Sequence, residues 1–299
     1  MAAAVAAALY FYVDQTTLNG ERAGRVNIMV LGVDDAATLS DTIMVVSIST
    51  KKDEPYKVAM VSLPRDMYVD IPGFGSSKIN AAYTYGQNND YPGGGPALSK
   101  KVVEQTLDLP IHYYVVMDFT GFKEVINAVG GVDVDVKTAI EDPYYPDYSS
   151  GYAPFSISTG PQHLNGEQAL AYARSRQTTS DFDRAARQQQ VAVAFKDKVL
   201  SSRLFTNPTE IAKLQTTLKD HFKTDLSLRE MAKLGQISRE LQPNAVTRHV
   251  IDSSNLLVAS PRYGYGLIPR EGVGNFTEIK EFVRNIFSKT TNDLPPQQQ

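Results

Sequence analysis

Two short runs of near-continuous apolar character, Ile28 to Leu31 and Ile43 to Val46, constrain the fold of this chain more than any other feature. Strands solvated on one face alternate apolar with polar residues, whereas strands covered on both faces read as unbroken hydrophobic runs. A sheet with helices on both sides follows. From Val26 onward, strand-like runs at Asn27 to Val33, Thr42 to Ser49, Lys57 to Leu63, Met67 to Ile71, His112 to Met117, Val132 to Val136 and Val246 to Ile251 alternate with helical patterns. Helices are expected at Pro96 to Leu107, Gly121 to Val129, Gly166 to Ala173, Arg184 to Ser201, Pro208 to His221, Leu228 to Leu241 and Asn275 to Phe287. The expected fold class is α/β: a three-layer α/β/α sandwich around a central mixed β-sheet.

With 299 residues the chain is long enough to bury a full core. A formal charge of -3 leaves no broad basic footprint, so nucleic acid is not an expected partner. There is no cysteine, which excludes a disulfide framework and a Cys-ligated zinc site. The four histidines, His112, His163, His221 and His249, show no metal spacing. Residues 1–13 form an apolar segment too short to span a bilayer, which takes about 20 residues. Two readings stand: an ordinary terminus, or the outer stub of a membrane helix with Tyr10, Phe11 and Tyr12 at the water interface. Residues 291–299 read as a disordered tail.

The stretch Arg174 to Gln190, RSRQTTSDFDRAARQQQ, gathers four arginines around two aspartates in an acidic protein. Arg174 and Arg176 are two apart and cannot share a helix face, which puts them where a helix ends. That helix has its own start signal in Asn165 with Gln168 three residues on. A second helix is expected to begin at Asp181 or Asp183, both good caps. Arg184 would then sit against the positive pole of the helix dipole, as if held there for an anion. The plainer reading is a solvated network of ion pairs with Asp181, Asp183 and Glu167.

Further polar groups gather at strand ends. Asp34 and Asp35 follow the first strand and Asp41 precedes the second, an arrangement that suits either a hard cation or a plain turn. Pro64 fixes the backbone before Arg65 at the end of the third strand, where open α/β sheets commonly bind ligands. A salt bridge to Asp66 or Asp70 is the alternative. Thr138 to Ser158, rich in Tyr, Pro, Asp and Ser, reads as an irregular excursion of the kind that carries binding surfaces.

In order along the chain stand Leu31-Gly32-Val33-Asp34, Ser40-Asp41-Thr42, Ser62-Leu63-Pro64-Arg65-Asp66, Lys78-Ile79-Asn80-Ala81-Ala82-Tyr83, Asp118-Phe119-Thr120-Gly121-Phe122 and Gly130-Gly131-Val132-Asp133-Val134. Arg174-Ser175-Arg176, then Asp181-Phe182-Asp183-Arg184 with Arg187-Gln188, complete the series. This ordered set, within residues 26–199, resembles the LytR-CpsA-Psr family. The resemblance implies a membrane-anchored, single-pass, extracytoplasmic phosphotransferase. Such an enzyme moves a glycopolymer from a polyprenyl-pyrophosphate carrier to a wall sugar such as peptidoglycan, with the lipid in an apolar tunnel. It implies that Asp34 and Asp41 engage magnesium, or manganese. It likewise implies that Arg65, Arg174, Arg176, Arg184 and Gln188 surround the pyrophosphate, with Lys78 and Arg187 in the same motifs. It turns the N-terminal segment toward the anchor-stub reading.

The chain departs from the family pattern in a short loop between Asp34 and Asp41, and in Leu39, where many members have a basic residue. One catalytic domain is expected over residues 25–290. Residues 204–290 carry no recognised motif, and Leu204 to Asp252 could be an appended module. Tunnel-lining candidates are Val102, Val103, Leu107, Phe122, Val125, Ile126, Val191, Val193 and Phe195, each equally readable as core. The same site with water as nucleophile would make a lipid pyrophosphate phosphatase, and without turnover a binder of polyprenyl-linked precursors.

Overall fold

The structure is a computed structural model that describes residues 16–36, 38–147, 151–175, 181–201, 216–242 and 244–288. Strands β1 (Arg25–Val33), β2 (Ser40–Ser49) and β3 (Lys57–Leu63) form an antiparallel meander. After the hairpin of β4 (Tyr68–Ile71) and β5 (Gly75–Lys78) come helices α1 (Ala81–Asn88) and α2 (Gly94–Leu107). β6 (Tyr113–Met117) then returns parallel to β1. Helix α3 (Phe119–Ala128) is followed by β7 (Val132–Val136), β8 (Ile140–Asp142), β9 (Pro146–Asp147), β10 (Gly151–Tyr152), β11 (Phe155–Ile157) and β12 (Gly160–Leu164). These pair in nested fashion, β7 with β12, β8 with β11 and β9 with β10. The Tyr- and Pro-rich excursion is thus the far end of one long interrupted hairpin.

Helices α4 (Gly166–Arg174) and α5 (Asp181–Ser201) lead to β13 (Phe222–Thr224), α6 (Leu228–Glu240) and β14 (Val246–Val250). A last hairpin of β15 (Leu257–Ser260) and β16 (Gly266–Pro269) precedes α7 (Thr277–Arg284). The central sheet runs β13-β6-β1-β2-β3-β14 and is mixed, as expected: β14 is parallel to β3, and β13 antiparallel to β6. The stretch after residue 204 is therefore no appended module, because it supplies both outer strands of the sheet.

The period of two in the meander decides which core each side chain enters. Met29, Leu31, Val33, Ile43, Val45, Ala59, Val61 and Leu63 point to the face covered by α2 and α7. Ile28, Met44, Ile48, Val58 and Met60 point to the other, where Ala192 and Val193 of α5 and Ile237 of α6 pack. Burying each such aliphatic side chain contributes roughly 1.5–3 kcal/mol. The opposite side of α5, through Val191 and Phe195, closes a smaller core over α3, α4, β7 and β12. α5 thus touches both the sheet and the hairpin layer. Close approach in that layer depends on Gly166, where a Cβ would come within 2.3 Å of the Lys123 carbonyl oxygen. Among the described residues no helix is long and apolar enough to cross a membrane. The segment 1–13 and the tail 291–299 lie outside those residues, as does most of the helix expected from Pro208.

Candidate active site

The carboxyl ends of β1, β3, β6 and β14 lie at one end of the central sheet together with the start of β2. Ligands in open α/β sheets collect outside such carboxyl ends. The β1–β2 register, with Gly32 opposite Thr42 and Val33 opposite Ser40, brings Asp34 and Asp41 to this end, and Pro64 delivers Arg65 beside Asp41. The Asn165 side chain accepts from Gln168 N while the Gln168 side chain accepts from Asn165 N, the capping box read from the sequence, and this starts α4. α4 ends at Arg174, as the spacing of the arginines requires. α5 begins at Asp181 rather than Asp183, so Arg184 lies within its first turn, and it is buried.

Two cavities meet over these groups and share Asp41, Thr42, Arg65, Arg184 and Gln188. The first, about 270 Å³, continues between Ile43, Leu63, Phe182, Val250 and Leu267. The second, about 380 Å³, continues past Phe119, Asp142, Tyr144, Tyr145 and Arg174. Arg65 and Arg184, with Asp41, Thr42 and Gln188, therefore stand between an apolar recess and an aromatic one. Arg65 donates to Asp41 Oδ1 at 2.5 Å, and its Nε stands 3.5 Å from Asp66 Oδ2. Arg174 lies over the Phe119 ring at 3.9 Å and donates to Tyr145 Oη at 3.3 Å. Arginine keeps its charge in such surroundings, and its planar fork suits phosphate oxygens.

Other expected site residues have partners within the chain. Lys78 is paired with Asp66 at 2.7 Å and lines neither cavity. Arg187, buried and about one turn beyond Arg184 along α5, lines neither cavity: its Nε donates to Tyr172 O at 2.7 Å and its Nη2 to Ser175 O. Gln188 donates to Ala173 O at 3.3 Å. The last turn of a helix leaves carbonyls without partners, and α5 satisfies those of α4 with these two residues. Burial lowers the Arg187 pKa. It remains a cation, which favours the negative end of the α4 dipole. Arg187, expected near the pyrophosphate from its motif, thus stands among the carbonyls that close α4. Arg176 and the Asp181 side chain lie outside the described residues.

Asp34 accepts from Thr38 N at 2.7 Å and from Thr38 Oγ1 at 2.5 Å, closing its own loop, and it lines neither cavity. Asp35 accepts from Thr120 N at 2.9 Å, and Asp118 caps α3 through Gly121 N at 2.8 Å. His221 Nδ1 meets Asp118 Oδ2 at 2.7 Å, and that bond raises the histidine pKa. Among the described residues no group of three or more His, Cys, Asp or Glu side chains forms a metal cage. The Asp34 and Asp41 carboxylates, one after β1 and the other at the start of β2, are hard oxygen donors of the kind that magnesium takes alongside waters and phosphate oxygens.

Of the apolar residues proposed from sequence for a tunnel, all but Val125 are spread over three cores. Val102, Val103 and Leu107 pack under the sheet, Val193 above it, and Ile126, Val191, Phe122 and Phe195 in the hairpin layer. The recess beside Arg184 is lined instead by Ile43, Leu63, Val250 and Leu267. Leu267 and Val250 follow the last recognised motif, so no spacing pointed to them. Tyr144 and Tyr145 fall within the excursion singled out for its composition.

The LytR_cpsA_psr family model matches residues 6–268. Among similar proteins, the polyisoprenyl-teichoic acid–peptidoglycan teichoic acid transferase TagU of Oceanobacillus iheyensis is 37% identical over 70% of this chain and 61% of its own. TagV of Bacillus subtilis, a transferase of the same description, is 36% identical over 71% of this chain and 52% of its own. The chain thus spans between half and two thirds of the length of these relatives. The solved structure described as TagT bound to LIIa-WTA superposes with a TM-score of 0.69 at 27% identity, covering 92% of this chain and 95% of that one. Since the family match runs from before β1 to the hairpin beyond β14, through both edges of the sheet and the whole cleft, the chain belongs to the LytR-CpsA-Psr family.

Proposed function

We propose that this protein transfers a glycopolymer from a polyprenyl-pyrophosphate carrier to a hydroxyl of peptidoglycan or another wall glycan. The observation that carries this reading is the strip of Arg65, Arg184 and Gln188 between two recesses of different character, with Arg174 on the aromatic side. A lipid pyrophosphate has that same sequence of parts: an apolar chain, a doubly anionic centre and a sugar. The relatives named as teichoic acid transferases support the class of reaction.

Phosphoryl transfer needs position and charge stabilisation more than covalent help from the protein. Arg65, Arg174 and Arg184 hold the pyrophosphate oxygens, with Arg176 in the same motif, and Gln188 adds an amide donor. The acceptor hydroxyl oxygen attacks the phosphorus that bears the sugar. The bridging P–O bond breaks, polyprenyl monophosphate leaves, and the hydroxyl proton passes to an acidic side chain or to water. Asp41 and Asp34 would hold magnesium, which when bound would supply positive charge against the negative charge of the phosphates. Asp41 also orients Arg65 through their 2.5 Å bond. A membrane anchor preceding residue 14 and an extracytoplasmic position complete the proposal, since carrier and wall acceptor are both met there.

The test is transfer from a lipid-linked pyrophosphate donor to a glycan acceptor, with and without magnesium. Arg184→Ala is expected to lower the rate by roughly 100-fold or more, the scale of removing one charge-stabilising donor. Full activity in that variant would refute the clamp. Release of free glycopolymer at the same rate without acceptor would make the protein a phosphatase, and binding without turnover a carrier of precursors.

A further inference from the structure

The long hairpin ends in an aromatic face that the chemistry above leaves unused. Tyr144, Tyr145 and Pro146 line the second cavity beside Phe119 and Arg174. Tyr144 is 60% exposed and Tyr152 is 66% exposed, and their rings meet edge to face with centroids 5.7 Å apart. The register explains the meeting, because Tyr152 lies opposite Pro146 in the β9–β10 pair. Edge-to-face contact is a favoured geometry for aromatic pairs and fixes both rings.

This face is tied to the arginine strip. Asp142, buried, accepts from Ser175 Oγ at 2.7 Å and from Tyr144 N at 3.2 Å. Tyr145 accepts from Arg174 and packs against Phe155 with centroids 6.0 Å apart. The residue before Tyr145 is thereby held at the rim of the cleft with its ring open to water. Leaving a rigid aromatic ring in water forgoes the free energy of its burial, and a ligand with a flat apolar face recovers it. A pyranose is such a ligand: its axial C–H groups form an apolar face, while its hydroxyls stay at the edge for water or polar groups. The cavity's size, about 380 Å³, lies within the ordinary range for small-ligand sites.

We propose that Tyr144, braced by Tyr152, is a stacking platform for a pyranose ring, first of all the sugar bonded to the pyrophosphate. The inference rests on the cleft being a lipid-pyrophosphate site and gives the substrate a direction across it. The lipid extends toward Leu63, Val250 and Leu267, and the sugar toward Tyr144. Nothing in the strip of arginines alone distinguishes the two orientations; the aromatic rim does.

The experiment compares three probes by calorimetry on the wild-type protein, Tyr144→Ala and Tyr144→Phe. The probes are farnesyl pyrophosphate, farnesyl pyrophosphate bearing one N-acetylglucosamine, and a soluble N-acetylglucosamine tetramer. Tyr144→Ala is expected to weaken the sugar-bearing lipid roughly tenfold, equivalent to ~1.4 kcal/mol, and to leave farnesyl pyrophosphate unchanged. Tyr144→Phe should bind like wild type, since stacking needs the ring and not the hydroxyl. A loss confined to the tetramer would overturn the assignment to the carrier-linked sugar and the direction drawn from it. Equal losses on both lipids, unchanged binding of every sugar-bearing probe, or a Phe variant as weak as Ala would each overturn the platform while the pyrophosphate reading stands. Wild-type protein that binds neither lipid would overturn both.

Discussion

Replacing Arg187 by methionine separates two roles that its motif leaves entangled. In the structure the guanidinium donates to Tyr172 O and Ser175 O at the end of α4, and it is buried. Each bond from a charged donor is worth about 1.5–3 kcal/mol, and the carbonyls left behind would be partly buried. Against this, methionine removes the cost of burying a cation and roughly fills its volume. A net destabilisation of about 2–4 kcal/mol follows, which for a domain of this size lowers the melting temperature by roughly 5–15 °C. Thermal unfolding followed by circular dichroism reads that shift, and calorimetry with farnesyl pyrophosphate, well below the transition, reads binding. The expected outcome is a lower melting temperature with affinity kept within about threefold, a change under 1 kcal/mol. A variant as stable as wild type that no longer binds pyrophosphate would refute the reasoning and make Arg187 a phosphate ligand.

Gln189 ties α5 to the sheet by donating to Ser62 Oγ at 2.9 Å and His249 O at 2.8 Å, all of it buried. Gln189→Leu should cost about 1–3 kcal/mol in urea unfolding, and an unchanged midpoint would mean the carbonyl had found another donor. The bond to Asp118 raises the His221 pKa, so its stabilisation is complete below the unfolded value near 6.5 and fades as pH rises through the higher folded value. The stability gap between wild type and His221→Gln should therefore be widest in mild acid and narrow toward pH 9. A gap that does not change over that range would mean the pair contributes no charge-dependent stability.

Local signals carried much of the architecture. β3 and β7 run between the residues expected, and the Asn165–Gln168 box starts α4 where its chemistry predicts, because each depends on neighbours within a few positions. What escaped depends on distant partners. β13 is three residues long with a lysine in the middle, too short for any periodic pattern, and exists because β6 offers it a ladder. β14 was legible as a strand, but its pairing with β3 joins two ends of the chain. The motif containing Arg187 could say which helix face it occupies, yet only the tertiary fold reveals that α4's carbonyls lie across from it. Asp34 is similar: its type suits a cation or a turn, and in this state it holds the turn through Thr38.

The pairing of β3 with β14 also bears on how the molecule comes into being. Val58 is matched to Val246 and Ser62 to Val250, so a wall of the cleft waits for chain made long after the arginines of α4 and α5. Contacts of such sequence separation are slow to form, because the intervening loop must close before the pairing rewards it. During synthesis from the N-terminus, Arg65, Arg174 and Arg184 are all present before any recess beside them has its Val250 and Leu267 lining. The apolar recess therefore closes in one late step, and a nascent chain lacks that wall of the cleft until β14 has docked on β3.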